Sequence, residues 1–329
     1  MIIYQILKIL PNNTLKKLEN QIRKKKQGWI EPIEYIRLSK FVSKTDFEKL
    51  NVTKYPVCLI EDAEWDYSLF NICFVENMLK NIVYCLSNGY RPVIAFKNSQ
   101  KKNLWEEMLV QPYGEISLND DLLYKEMRCD VKTAKLIFPI QPTRDDVEVI
   151  GKLYQRYVIP NKKTEKYFTE EYETLLKGKR VLGVLCRGTD YTEGKPAGHP
   201  VQPELEELLD KVREKYIELS CEAIYLATEE KRIYKQFELT FPGKIIVNKR
   251  HYFDDYYRIK QQNKNALISC VSFERDNDNY FKALEYFSSL NLLSKCCALV
   301  AGNCGGSRAA LYLNRNKYEY SYLFDKGLY

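Results

Sequence analysis

Residues 179–190 read Lys-Arg-Val-Leu-Gly-Val-Leu-Cys-Arg-Gly-Thr-Asp, and the fold is read outward from them. Val181 to Cys186 carry no charge, which fits a short strand buried on both faces. Arg187 then closes the run, where a guanidinium has no packing reason to be. Two readings of it stand side by side. It grips an anion beyond the carboxyl end of the strand, or it pairs with a carboxylate such as Asp190. Gly188 lets another group approach the backbone. Thr189 and Asp190 can fix the turn by side-chain-to-backbone bonds.

Downstream the texture alternates. Pro203 opens a helix with Leu205, Leu208, Leu209, Val212 and Tyr216 on one face. Residues 222–230, EAIYLATEE, read as strand and loop, 231–239 as a short helix and 243–249 as a strand. Residues 250–278 are polar and irregular, and a helix follows over 279–294. CCALVAGNCGGSRAALYL at 296–313 reads as strand, glycine loop and helix, and 317–324 as a last strand.

Upstream, YPVCLIED at 55–62 is a strand. Ile72, Val75, Leu79, Ile82, Val83 and Leu86 repeat at helical spacing until Asn88-Gly89 stops them, and RPVIAF is the next strand. NLWEEMLVQPYG at 103–114 reads as helix to turn. The chain is therefore α/β, with two doubly wound halves. Its expected parts are a basic helical segment 1–50, a first domain 51–175 and a second domain 176–329.

In such sheets ligands bind beyond the carboxyl ends of strands. Three loops of the second half lie there: Arg187–Tyr191, Thr228–Glu230 and Gly302–Ser307. The last contains Gly302, Asn303, Gly305, Gly306 and Ser307 between a strand and a helix, where backbone N–H groups bind phosphate oxygens. The alternative is a tight turn that needs positive φ. It lacks the G-K-[ST] ending of a Walker loop and the spacing of G-x-G-x-x-G.

Composition narrows the class. Of 329 residues 45% are apolar and 13% aromatic, enough for two cores. The net charge of +7 is concentrated at the start: residues 1–50 hold eleven Lys/Arg against five Asp/Glu. A basic tail on a near-neutral body argues against a nucleic-acid enzyme. Residues 1–28 read either as a helix on anionic lipid or as one packed on its own body. No apolar run reaches the length of a membrane span. Ten cysteines lie mostly in apolar runs, and only His199 and His251 are present, so neither a disulfide framework nor a zinc site is expected. A reducing cytoplasm fits.

Arg187-Gly-Thr-Asp-Tyr, the later His199-Pro200, and Tyr225-Leu-Ala-Thr-Glu-Glu230 resemble the fucosyltransferase superfamily, most of all the core α1,6-fucosyltransferases and their rhizobial relatives. A third motif, Leu293-Ser-Lys-Cys-Cys-Ala-Leu-Val-Ala301 with the loop to Ser307, is in order. The whole chain, including Asn103-Leu-Trp-Glu-Glu107 and Gly198-His-Pro-Val-Gln-Pro203, is similar to bacterial surface-polysaccharide transferases.

The resemblance implies a GT-B-like fold, two Rossmann-type domains with an interdomain cleft. It implies an inverting glycosyltransferase that needs no metal or other cofactor, moving a sugar from a nucleotide-sugar donor, GDP-fucose favoured, to a glycan acceptor. Arg187 matches the arginine on the donor β-phosphate. Gly188, Thr189 and Asp190 complete that motif, and Thr228 and Glu229 match the strand end near the nucleotide. The Gly302–Ser307 turn matches the phosphate loop, and His199 the family's His-Pro. Departures are Leu185 for the family histidine, Gly188 for a second arginine, and Ser289, with Glu285 a turn earlier, for the guanine-reading aspartate.

Tyr191 and Lys195 stand where those enzymes have Lys and Glu, which leaves Glu193 as the only carboxylate between Asp190 and His199. Glu193 is the candidate base and His199 its rival. Trp65, Asp66 and Tyr67, with Glu64 beside them, are candidates for the acceptor, against a plain loop anchored by Trp65. Asp276-Asn277-Asp278 lies in a polar loop and not at the strand end a metal clamp requires. Asp254-Asp255 reads as surface or as a sugar contact. Another GDP- or UDP-sugar donor, or a binding protein without turnover, are the alternatives.

Overall fold

The computed structural model describes residues 7, 9–24, 30–61, 70–96, 102–114, 138–264, 266 and 268–329. These divide into two compact units. The first holds 1–68, 73–139 and 152–159, and the second 69–72, 140–151 and 160–329. The candidates Glu64, Trp65, Asp66 and Tyr67 lie outside the described residues.

In the first unit, α1 (Asn12–Lys24) and α2 (Ile30–Lys44) bury Leu15, Ile33 and Ile36 against one another with Leu7. Among the described residues of the basic segment, Leu7 and Leu15 are thus packed within the first unit. A buried ion pair fixes the two helices: Arg37 Nε donates to Glu19 at 2.8 Å, and Nη1 reaches Ser87 Oγ at 2.9 Å. Parallel strands β1 (Val57–Ile60) and β2 (Arg91–Ile94) flank α3 (Ile72–Ser87), whose buried face is the expected one. Gly89, at φ 79°, ends that helix.

The segment 103–114, expected as helix to turn, holds a turn at 104–108 and no helix. Asn103 Nδ2 and Gln111 Nε2 both donate to Ile94 O, at 2.6 and 2.8 Å, and Gln111 Oε1 accepts from Ile94 N at 3.0 Å. Side chains thereby take the strand-end groups, and Trp105 is buried with Nε1 on Val110 O. Helix α4 (Arg144–Tyr157) contributes to both units.

The second unit contains α5 (Lys162–Leu175), β3 (Val181–Leu185), α6 (Thr189–Thr192), α7 (Leu205–Glu218), β4 (Ala223–Ala227), α8 (Lys231–Thr240), β5 (Ile245–Ile246), α9 (Tyr256–Gln262), α10 (Asp278–Lys295), β6 (Ala298–Gly302), α11 (Gly305–Asn314) and β7 (Tyr320–Phe324). Its five strands are all parallel, in the order β5-β4-β3-β6-β7. Leu182, Val184, Ile224, Leu226 and Val300 point to one side and pack with Leu208, Leu209, Val212, Ile233 and Phe237 of α7 and α8. Gly183 points to the other side, where a Cβ would lie 3.1 Å from Cys296 Cβ.

Helix α5 precedes the expected boundary near 175 yet belongs to this unit. Phe168 meets Phe287 edge-on at 5.1 Å, and Ser288 Oγ donates to Glu171 at 2.6 Å. From β3 the chain builds outward through β4 to β5, then returns to the other side of β3 for β6 and β7. The order therefore reverses between β3 and β6, and in such sheets the carboxyl ends at that reversal are where ligands bind.

Candidate functional site at the reversal of strand order

Arg187 leaves β3 at this reversal with its side chain 18% exposed. Nη2 donates to Asp190 Oδ1 at 2.6 Å, Nε lies 3.5 Å from Glu229 Oε1, and Tyr191 lies under the guanidinium at 4.7 Å. Burial works against the charge, but Glu229 and Asp190 outweigh it and hold the pKa well above the usual value. Both sequence readings thus meet in one residue: Arg187 lies just beyond the carboxyl end of β3, and it is already paired.

Glu229 organises the turn after β3. Its Oε1 accepts from Gly188 N at 2.8 Å and from Thr189 Oγ1 at 3.0 Å. Thr189 is held at φ 41°, a left-handed conformation that a β-branched residue rarely adopts. Glu230 is buried too. It salt-bridges Arg232 at 2.7 Å, and its carboxylate fills the space a Cβ on Gly188 would need, 1.9 Å away. Gly188 therefore allows close packing by an acid. Thr228 Oγ1 accepts from Glu230 N at 3.3 Å.

The loop after β6 corrects the glycine reading. None of Gly302, Gly305 and Gly306 has positive φ. Each makes room for a neighbour: Gln202 Oε1 would lie 2.2 Å from a Cβ on Gly302, Ile72 2.8 Å from one on Gly305, and Tyr286 Oη 3.2 Å from one on Gly306. Ser307 Oγ accepts from Cys304 N at 2.9 Å and donates back to Cys304 O at 3.0 Å, so its hydroxyl proton is already used within the loop. Asn303 is likewise committed, through Nδ2 to Ile140 O and Oδ1 to Arg308 Nη1. The side chains of Thr189, Thr228, Asn303 and Ser307 are all engaged in hydrogen bonds within or beside these loops.

Arg308, in the first turn of α11, was not singled out from the sequence. Its Nε is buried without a hydrogen-bond partner, its Nη1 donates to Asn303 Oδ1 at 3.0 Å, and among the described residues it forms no ion pair. It places a cation in the first turn of a helix, beside the partly exposed Gly305. Leu185, at the end of β3, would lie 3.3 Å from a Cβ on Gly306, so the start of α11 packs beside the end of β3.

His199 Nδ1 is 3.3 Å from Tyr191 Oη, with the rings edge-on at 5.5 Å. The chain Arg187–Tyr191–His199 is therefore continuous. His199 is held from behind: Tyr329 N donates to its carbonyl at 3.0 Å, and Gly198 N donates to Tyr329 O at 3.1 Å. Glu193 ends α6 on the exposed side, its N–H on Thr189 O at 2.9 Å. Helix α9, unexpected in a polar stretch, turns Tyr256 inward. Burial first, then the carboxylates of Asp190 and Glu193, push the Tyr256 phenol up, so it stays protonated and a donor. Asp254 caps α8 through Lys231 N at 3.1 Å, and Asp278 pairs with Arg275 at 2.8 Å. Glu285 is also held by Arg275. Among the described residues no group of three metal-ligating side chains converges.

The sequence matches no protein-family model. It matches no curated protein either. Among solved structures it is similar to a NodZ alpha-1,6-fucosyltransferase soaked with GDP-fucose, at 12% identity over 79% of this chain and 92% of that one, with a TM-score of 0.44. It is similar to the fucosyltransferase NodZ from Bradyrhizobium, at 12% identity, 83% and 96% coverage and a TM-score of 0.45. POFUT1 in its apo form gives 8% identity, 84% and 99% coverage and a TM-score of 0.45. No residue role is carried over from these three.

Proposed function

We propose that the chain is a glycosyltransferase that binds a nucleotide sugar at the reversal between β3 and β6 and passes the sugar to a glycan hydroxyl with inversion. GDP-fucose is the favoured donor, the setting is bacterial surface-polysaccharide synthesis in the cytoplasm, and no metal takes part. The reading is supported by the position of Arg187 just after β3, where the strand order reverses, and by the N-terminus of α11, with Arg308 in its first turn, following the neighbouring parallel strand β6. As the glycosidic bond to the diphosphate breaks, charge grows on the departing oxygen. Cations and backbone N–H groups already aimed there stabilise it without reorganising.

Charge arithmetic assigns the roles. Arg187 shares its charge with Asp190 and Glu229, so it supplies direction and two-point geometry more than net charge. Arg308 and the helix terminus supply the surplus. The acceptor hydroxyl must lose its proton, and His199 is preferred to Glu193 because Tyr191 ties it to Arg187.

The test is hydrolysis and transfer with a panel of GDP- and UDP-sugars, with and without EDTA. Turnover of one donor class, undiminished by chelator, is expected. Loss of turnover in EDTA with restoration by Mn²⁺ or Mg²⁺ would overturn the metal-free mechanism. Saturable donor binding with no turnover would identify a binding protein instead.

A further inference from the structure

The amino end of the second sheet, opposite the candidate site, holds a pair of thiols that the proposed reaction does not use. Cys221 lies just before β4 and Cys297 just before β6. Strand β3 runs between those two strands. The two loops clasp its first residues: Glu222 N donates to Arg180 O at 2.8 Å, and Cys297 N donates to Val181 O at 3.0 Å. Over this segment the two sulfurs come to 3.7 Å. Both thiols are free, and Cys297 is partly exposed.

We propose that Cys221 and Cys297 are a redox-active dithiol, a modification site that closes to a disulfide by exchange with a low-molecular-weight disulfide. Closure needs the sulfurs to approach from 3.7 Å to ~2.05 Å and the two loops to draw in until their Cα atoms lie within ~7 Å. The surroundings favour attack by Cys297. A hydrogen bond from Cys221 lowers its pKa, Arg180 adds to this, and partial burial opposes it. The thiol of Cys221 is correspondingly pushed up.

The chemistry balances in two exchanges. The Cys297 thiolate attacks one sulfur of the small disulfide, and its partner leaves as a thiolate. That thiolate takes the proton from Cys221. Cys221 sulfur then attacks Cys297 sulfur and expels the second small thiolate. Two protein thiols become one disulfide, and one small disulfide becomes two thiols. The bond would clip β4 to β6 across the start of β3, closing a long loop and thus stabilising the sheet. The proposal is independent of the nucleotide-sugar reading.

The experiment is incubation of the whole chain with oxidised glutathione, followed by digestion under non-reducing conditions and mass mapping. A cross-linked Cys221–Cys297 peptide should be the main product, with a melting temperature raised by several degrees and restored by dithiothreitol. In Cys221→Ser a glutathione adduct should persist on Cys297. In Cys297→Ser, adduct formation at Cys221 should be at least ~10-fold slower, as expected for a thiol that stays protonated. Melting of both variants checks that they are folded. Adducts gathering at the exposed Cys73 and Cys270 with no Cys221–Cys297 peptide would overturn the proposal. Equal rates at Cys221 and Cys297 in the two single variants would overturn the assignment of Cys297 as the attacking sulfur.

Discussion

Arg187→Ala is expected to cut donor turnover by roughly 10²–10³ or more, the ~3–4 kcal/mol typical of losing one preorganised donor to a developing anion. Gly188 offers no replacement charge beside it. The fold should weaken but survive. Glu229 keeps its bonds from Gly188 N and Thr189 Oγ1, and Asp190, partly exposed, can be hydrated. Arg187→Lys separates the two roles. An ammonium restores a cation between the two acids, so melting should recover most of its loss, whereas the planar two-point grip is gone and the rate should stay low. Turnover and melting temperature of the three proteins are the measurements. An Ala variant keeping more than about a tenth of the rate, set against that expected loss, would make Arg187 a structural ion-pair residue only.

Glu19→Ala is expected to be the most destabilising single truncation in the first unit, at about 3–5 kcal/mol, because it strands a buried guanidinium. Arg37 and Glu19 are 4% and 5% exposed, too little for water to replace the lost partner. What remains to Arg37 is the bond to Ser87 Oγ, a neutral acceptor. Replacing both charges, Glu19→Leu with Arg37→Met, should cost far less than Glu19→Ala, since no unpaired charge is left. Urea unfolding of the wild type and these two variants decides it. A loss below ~1 kcal/mol in Glu19→Ala would place the pair among exposed ones in effect.

Local pattern made much of this fold legible. The helix of 72–87 and its stop at Gly89 follow from spacing and one turn dipeptide, and β3, β4 and β6 from short apolar runs ended by polar loops. Arg187 was legible because it breaks such a run. What was not legible depends on residues far apart in the chain. The glycines after β6 are needed by Gln202, Tyr286 and Ile72, none of which is near them in sequence. Helix α5 joins the second unit through Phe287 and Ser288, more than a hundred residues later. Helix α9 is short, and the acids and tyrosines around it mask the one residue, Tyr256, that turns inward. Arg308 reads as an ordinary helix charge until it is seen to form no ion pair among the described residues.

The central claim is that a nucleoside diphosphate binds between the loops after β3 and β6. Calorimetric titration of the whole chain with GDP and UDP, beside Arg187→Ala and Arg308→Ala, tests it most directly. The account predicts one saturable site for one of the two nucleotides, weakened at least ~10-fold by either substitution, about 1.4 kcal/mol each, and weakened by added salt. Absence of binding by either nucleotide, or binding that both variants retain unchanged, would contradict it.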